Sequence, residues 1–291
     1  MPKAPSNGIE LEYDEFGDPG DPTLLLIMGF SAQMTYWHER FCQSLAGAGY
    51  HVVRFDNRDV GLSSRVTGGP TPDLGAALGG DTSSASYTLD DMADDAAGLL
   101  DALGIEDAHV VGASMGGMIA QLVATRHPAK VRSLCSIMST TGDPGVGQPS
   151  PEAMGALLTP PPQSAEEAAQ RGWEVSNVIG SPGFPRDEAE VRRRSSEAWT
   201  RSHDPDGVSR QLLAILASPD RTPALCSLDM PTLVIHGAED PLVNPSGGEA
   251  TAKAVPGCEL LIIEGMGHDL PEGAWPQIIE AIDVNAKKAA V

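Results

Sequence analysis

Basic residues are scarce in this chain of 291 residues. Nineteen Lys and Arg stand against 40 Asp and Glu, a formal net charge of −21. Such a surface stays soluble and repels phosphate backbones and anionic lipid, which argues against nucleic acid or a membrane surface as partner. Cysteine is sparse too. Cys42, Cys135, Cys226 and Cys258 lie far apart, with no CxxC pair and no Cys/His cluster at metal-ligand spacing. They read as buried small hydrophobic residues, and no metal site is expected. No apolar run reaches the ~18 residues of a membrane span. The segment MPKAPSNGIELEYDEFGDPG lacks the apolar core of a secretory leader, so a cytoplasmic location is expected. Neither a GxGxxG dinucleotide loop nor a P-loop with its Lys-Ser/Thr pair occurs, so no cofactor is expected. No internal repeat is found, and the oligomeric state is left open.

What is present is ordinary globular composition, 41% hydrophobic and 20% charged. GIELEYDEFG alternates apolar and polar residues, as an antiparallel edge strand or hairpin does. Six short apolar runs follow: TLLLIMG (23–29), HVVRFDN (51–57), HVVGAS (109–114), VRSLCSIMS (131–139), PTLVIHG (231–237) and CELLIIEG (258–265). Continuous runs of this length suit strands covered on both faces, as in a parallel sheet. Helical spacing appears between several of them. In TLDDMADDAAGLLDALG (88–104) the apolar residues recur every three or four positions, with Thr88 and Asp91 as a capping box. Its aspartates Asp90, Asp91, Asp94 and Asp95 read as a solvated helix face rather than a metal site. A final amphipathic helix is expected within 271–290. Strands alternating with helices mean an α/β protein with a mostly parallel sheet and right-handed crossovers. The alternation breaks between about Gly142 and Leu228, in a Pro- and Gly-rich stretch followed by helical patterns. That insertion is expected to form a helical cap, residues 142–228, over a core made of 1–141 and 229–291.

The chemistry centres on Gly112-Ala113-Ser114-Met115-Gly116, a GxSxG pattern after a strand and before a helix. In that context the serine sits on a tight turn, exposed at the sheet's carboxyl edge, where only small neighbours fit. A serine hydroxyl needs a base to take its proton. His268, on the small-residue loop GMGH after a strand, is the expected base. His236 lies inside a strand pattern and reads as a packed core histidine. His38 and His127 fall in helix patterns, and His51 and His109 open strands. Asp240, in GAEDPLV after another strand, is the expected acid that orients the imidazole, with the adjacent Glu239 as the alternative. An oxyanion hole needs two N–H donors. Met115, after the nucleophile, supplies one, and Phe30, in the loop after TLLLIMG, the other. Asp56, Arg58 and Asp59 read as a structural ion-pair and turn network beside the site floor. Trp173, Phe184 and Trp199 either line a pocket or pack the cap helices. Arg192, Arg193 and Arg194 read as a solvated helix face.

With Ser114, Asp240 and His268 in that chain order, the sequence resembles the α/β-hydrolase family of serine esterases from about Ile9 to Ile282, apart from the cap. The matching pieces are the oxyanion loop, DNRDVGLSS, GASMGG, GAEDPLV and EGMGH. The resemblance implies an eight-stranded, mostly parallel sheet flanked by helices, with the cap after strand 6. Many relatives end the oxyanion strand in His-Gly, where this chain has Met28-Gly29, and carry Gly where this chain has Asp59. Both departures, with FGDPGDPTLLLIMG, resemble the branch containing aclacinomycin methylesterase, which removes a methyl ester from a polyketide-derived aglycone. The lipase HGGG is absent, and Ser114 occupies the place of the aspartate nucleophile of epoxide hydrolases and haloalkane dehalogenases. The implied activity is hydrolysis of small to medium, fairly apolar carboxylic esters through an acyl-enzyme, the partner being a small-molecule ester. The same residues also suit a C–C (meta-cleavage-product) hydrolase or a cofactor-free haloperoxidase. A ligand-binding protein of the same fold is a third reading, which an intact triad argues against.

Overall fold

A computed structural model of the chain describes residues 1–289. The first strands, β1 (Lys3–Ser6) and β2 (Ile9–Phe16), form an antiparallel hairpin. Their turn is Asn7-Gly8, with φ of 46° and 80°, the primed turn whose twist matches that of the strands. Alternation marks β2 alone. β1 is only four residues long and contains Pro5, so it carries no such signal.

The remaining strands are β3 (Thr23–Ile27), β4 (His51–Phe55), β5 (Ala108–Ala113), β6 (Val131–Ile137), β7 (Thr232–Gly237) and β8 (Glu259–Ile263). They form one eight-stranded sheet in the order β1-β2-β4-β3-β5-β6-β7-β8, parallel from β4 to β8. Every residue of β3, β4 and β7 is buried, as continuous apolar runs require of strands covered on both faces. Along β3, Leu25 and Ile27 join one core and Leu24 and Leu26 the other, so the strand feeds both layers.

The first four helices are α1 (Glu39–Gly47), the short α2 (Leu74–Leu78), α3 (Leu89–Ala102) and α4 (Met115–Arg126). Helices α5 (Pro151–Leu157), α6 (Ala165–Ile179), α7 (Glu188–Arg201), α8 (Pro205–Ala217) and α9 (Thr222–Leu225) all lie between β6 and β7, followed by α10 (Ser246–Ala254) and α11 (Trp275–Lys288). The expected last helix thus ends at Lys288; positions 290 and 291 lie outside the described residues. Helices α3 and α4 cover one face of the sheet and α1 and α11 the other. After β3 the chain crosses to β4, and after β5 to β6, in opposite directions along the sheet. The carboxyl ends of β3 and β5 therefore flank the topological switch point, where open α/β sheets form their crevice.

Four expectations about side chains are corrected. Asp95 is not on a solvated face: it is buried and takes a bidentate pair from Arg58 at 2.6 and 2.7 Å, because α3 packs its second turn against the loop after β4. Asp94 does stay at the surface, bridging Arg126 and His127, and Asp91 closes the capping box by accepting from Thr88 N at 2.8 Å. Arg194 is half-buried rather than solvated, because α7 lays it on the Thr35 and Tyr36 carbonyls at 2.9 and 3.2 Å. Arg192 and Arg193 pair along the helix with Glu188, Glu190 and Glu197. Cys42 and Cys135 are buried, but Cys226 is exposed at the end of the four-residue α9, and Cys258 is half-buried beside the edge strand β8. Among the described residues no helix is long and apolar enough to cross a membrane.

Candidate active site

Ser114 is the single residue between the end of β5 and the start of α4. Its backbone sits at φ 57° and ψ −122°, a region that costs a non-glycine residue about 1–3 kcal/mol. The surroundings hold it there. Ser114 N donates to Ile137 O at 2.9 Å, and its carbonyl accepts from Gly117 N and Met118 N. The flanking glycines are obligatory for close approach. A Cβ on Gly112 would lie 2.0 Å from Gly116 O, and one on Gly116 would lie 2.1 Å from Ile27 O. The pattern's small residues thus let the turn fold back against β3 and α4.

The other two residues arrive from loops at the same edge of the sheet. His268 Nε2 lies 2.9 Å from Ser114 Oγ, and His268 Nδ1 lies 2.7 Å from Asp240 Oδ2. Ser114 and His268 are half-buried and Asp240 is 3% exposed, so the contact to Asp240 is shielded from water. The remaining oxygen of Asp240 accepts from Leu242 N and Val243 N, both at 2.9 Å. Burial alone would raise the Asp240 carboxyl. The charge of His268, hydrogen bonds from His236 and His268, and the Val243 N–H together outweigh that and hold it well below the usual carboxylate range. His236 is wholly buried in β7. It donates from Nε2 to Val243 O at 2.7 Å and lies 3.4 Å from Asp240 Oδ2, so it belongs to the packing around the acid. Glu239 does not reach the histidine. Its carboxylate accepts from Gly265 N at 2.6 Å, bracing the loop that carries His268.

Phe30 and Met115 both flank the Ser114 turn, one in the loop after β3 and the other at the start of α4. Met115 opens α4, so its N–H has no partner within the helix. Among the described residues the Phe30 N–H has none either. A Cβ on Gly29 would lie 3.6 Å from Ser114 Oγ, so this glycine brings the Phe30 loop against the serine. The arrangement can move a proton from Ser114 Oγ to His268, keep the resulting imidazolium beside a carboxylate, and offer free N–H groups to a developing oxyanion. Among the described residues no cluster of three His, Cys, Asp or Glu is arranged to hold a metal ion.

The inserted helices contribute more than their sequence suggests. The segment after α6 is built into the histidine loop. Ile179 O accepts from His268 N at 2.6 Å, Ser181 Oγ accepts from Gly267 N at 2.9 Å, and Ser181 donates to Asp269. Burial pushes the Asp269 carboxyl above its ordinary value, against that bond. Asp56, Arg58 and Asp59 form the expected network, but its outer partners come from the insertion. Arg201 of α7 pairs with Asp56 at 2.7 Å, and Arg210 of α8 pairs with Asp59 through two contacts of 2.8 Å. Gln211 of α8 bonds Ser31 N and Arg58 O. Nothing in the local sequence marks Arg201, Arg210 or Gln211, whose partners lie some 145–180 positions away. The cap aromatics take part in packing. Phe184 lies against Gly273 and the core, Trp173 lies under Arg186, and Trp199 donates to Pro162 O.

A doubly wound sheet with a strained serine turn after its fifth strand, and helices inserted after the sixth, is an α/β hydrolase. The chain belongs to that family: the model for the alpha/beta hydrolase fold matches residues 22–273. It is 30% identical over 302 residues to two rhodomycin D methylesterases, DauP of Streptomyces sp. (strain C5) and DnrP of Streptomyces peucetius, covering 97% of this chain and 97% of each of theirs. The solved structure of a thermophilic esterase from Thermogutta terrifontis matches with a TM-score of 0.71 and 25% identity, covering 99% of this chain and 98% of that one.

Proposed function

We propose that this carboxylic ester hydrolase works through Ser114, His268 and Asp240, on small to medium, fairly apolar esters, by way of an acyl-enzyme. The observation that carries the reading is the unbroken path from Asp240 Oδ2 through His268 to Ser114 Oγ, with links of 2.7 and 2.9 Å. His268 takes the hydroxyl proton as Ser114 attacks the ester carbonyl. The ionised Asp240 stabilises the imidazolium and keeps Nε2 facing the serine. The oxyanion rests on the N–H groups of Phe30 and Met115. His268 then protonates the departing alcohol, and water repeats the sequence to free the acid.

The inserted helices act as a cap, residues 142–228 over the core, that excludes water and shapes the substrate space. Similarity to rhodomycin D methylesterases over almost the whole chain supports methyl esters, with methanol leaving, as the first class to examine. Excess negative charge favours neutral over anionic substrates. The test is hydrolysis of p-nitrophenyl esters from acetate to decanoate, and of bulky methyl esters, by the parent and by Ser114→Ala. Turnover that vanishes in the variant is expected. Full activity in Ser114→Ala would remove Ser114 from the mechanism, and turnover of a vinylogous diketone above every ester would move the chemistry to C–C cleavage.

A further inference from the structure

The loop that carries Phe30 adopts a turn that its own residues do not favour. Ala32 N donates to Gly29 O at 3.3 Å, closing a four-residue turn over Gly29-Phe30-Ser31-Ala32. Within it Ser31 has φ 57° and Phe30 does not have a positive φ. A positive φ at the third position alone defines a type II turn, for which glycine or asparagine is the suitable residue. Serine at that position favours the type I turn, in which the peptide between Phe30 and Ser31 is rotated by about half a turn. Something outside the loop must hold that peptide.

Gln211 is the group that does so. It is 0% exposed and lies 180 positions away, on α8 of the insertion. Its Oε1 accepts from Ser31 N at 2.9 Å, and its Nε2 donates to Arg58 O at 2.8 Å. The second bond fixes which way the amide faces, because Arg58 is itself held by Asp95 and stacked 4.8 Å over the Tyr87 ring. Helix α8 comes this close because of its neighbours. Arg210 pairs with the buried Asp59, and Gly207, where a Cβ would lie 2.5 Å from Asp59 O, lets the backbones meet. In the other turn Ser31 N–H would face away from Oε1, leaving a buried amide oxygen without its donor.

We propose that Gln211 is a positioning residue for the oxyanion loop: it holds the Phe30–Ser31 peptide in its type II orientation and so anchors the turn that carries the Phe30 N–H, without touching substrate. The proposal rests on the reading of Phe30 as an oxyanion donor. It makes the insertion part of the catalytic apparatus rather than only its cover.

The experiment compares parent, Gln211→Met and the double variant Gln211→Met/Ser31→Gly, with rates taken per active site titrated by a fluorophosphonate. Gln211→Met should lower kcat roughly ten-fold or more, below the loss from deleting an oxyanion donor outright, with KM within about two-fold. Glycine at position 31 accepts positive φ without help, so the double variant should recover most of the lost kcat. A residue that merely stabilised the fold would lower the titratable fraction, leave kcat per site intact, and not be rescued by glycine. Amide hydrogen exchange at Ser31 reads the bond directly. The parent should show protection that Gln211→Met loses. An unprotected Ser31 amide in the parent, kcat per site unchanged in Gln211→Met, or a double variant no better than the single would each overturn the proposal. Ester turnover that survives Ser114→Ala would overturn the active-site reading instead, while the exchange measurement still decides whether Gln211 holds the turn.

Discussion

At the scale of single residues, the site is a set of small concessions in backbone and charge. Ser114 accepts a strained φ/ψ because Gly112 and Gly116 leave it space and three backbone hydrogen bonds hold it. Asp240 stays ionised although buried, because it faces His268, His236 and two backbone N–H groups. An amide in its place keeps an oxygen for Leu242 and Val243 but presents NH₂ to His268 Nδ1. That donor forces the imidazole to carry its proton on Nε2, where it cannot accept from Ser114. Asp240→Asn should therefore lower kcat about 10⁴-fold with little change in thermal stability, measured by steady-state kinetics beside a melting curve. Activity within ten-fold of the parent would show that another acid orients His268. These residues were legible in the sequence because each follows a buried strand run and has a distinctive chemical type. Gln211 was not, since an amide in a helix pattern has no local signature and its partners are far away in the chain.

At the scale of elements, continuous apolar runs identified β3 to β8. Strands β3 to β7 are buried on both faces, where little else is tolerated, but β8 was expected to be covered in the same way and instead leaves Glu259 and Leu260 exposed, because it is the last strand of the sheet. The hairpin arm β1 was missed, being short and proline-bearing, although Asn7-Gly8 is the turn signal that marks it. Charge was read less well than hydrophobicity. Asp95 and Arg194 occupy helical positions that pattern alone assigns to solvent, and each is drawn inward by a partner from a distant loop. Element packing also sets an acid sensitivity. His109, at the start of β5, is 4% exposed and bonded to Ser133; burial, aided by Arg132, pushes it down from 6.5 to about 4. Between those values the unfolded chain binds the proton and the folded chain does not, so stability rises with pH through this window and is fully present above it. Urea unfolding at pH 7 and pH 4.5 should show less acid loss in His109→Gln than in the parent. Equal losses would place the acid sensitivity elsewhere.

At the scale of the whole molecule, the insertion grips both the loop of Phe30 and the loop of His268. Gln211 and Arg201 reach the Phe30 side, where Arg201 bonds Gln33 at 2.7 Å, and Ile179 to Gly183 reach the His268 side. Its presence was legible as a break in the strand–helix alternation, but its two attachments were not, because they are made by single polar side chains and backbone groups. The central claim is that Ser114 carries the acyl group during turnover. The most direct measurement is mass spectrometry of enzyme quenched in acid during hydrolysis of a slowly deacylating p-nitrophenyl ester. An acyl adduct on the peptide containing Ser114, absent from Ser114→Ala, is the predicted result. Undiminished turnover by Ser114→Ala, with no adduct on the parent's Ser114 peptide, would contradict it.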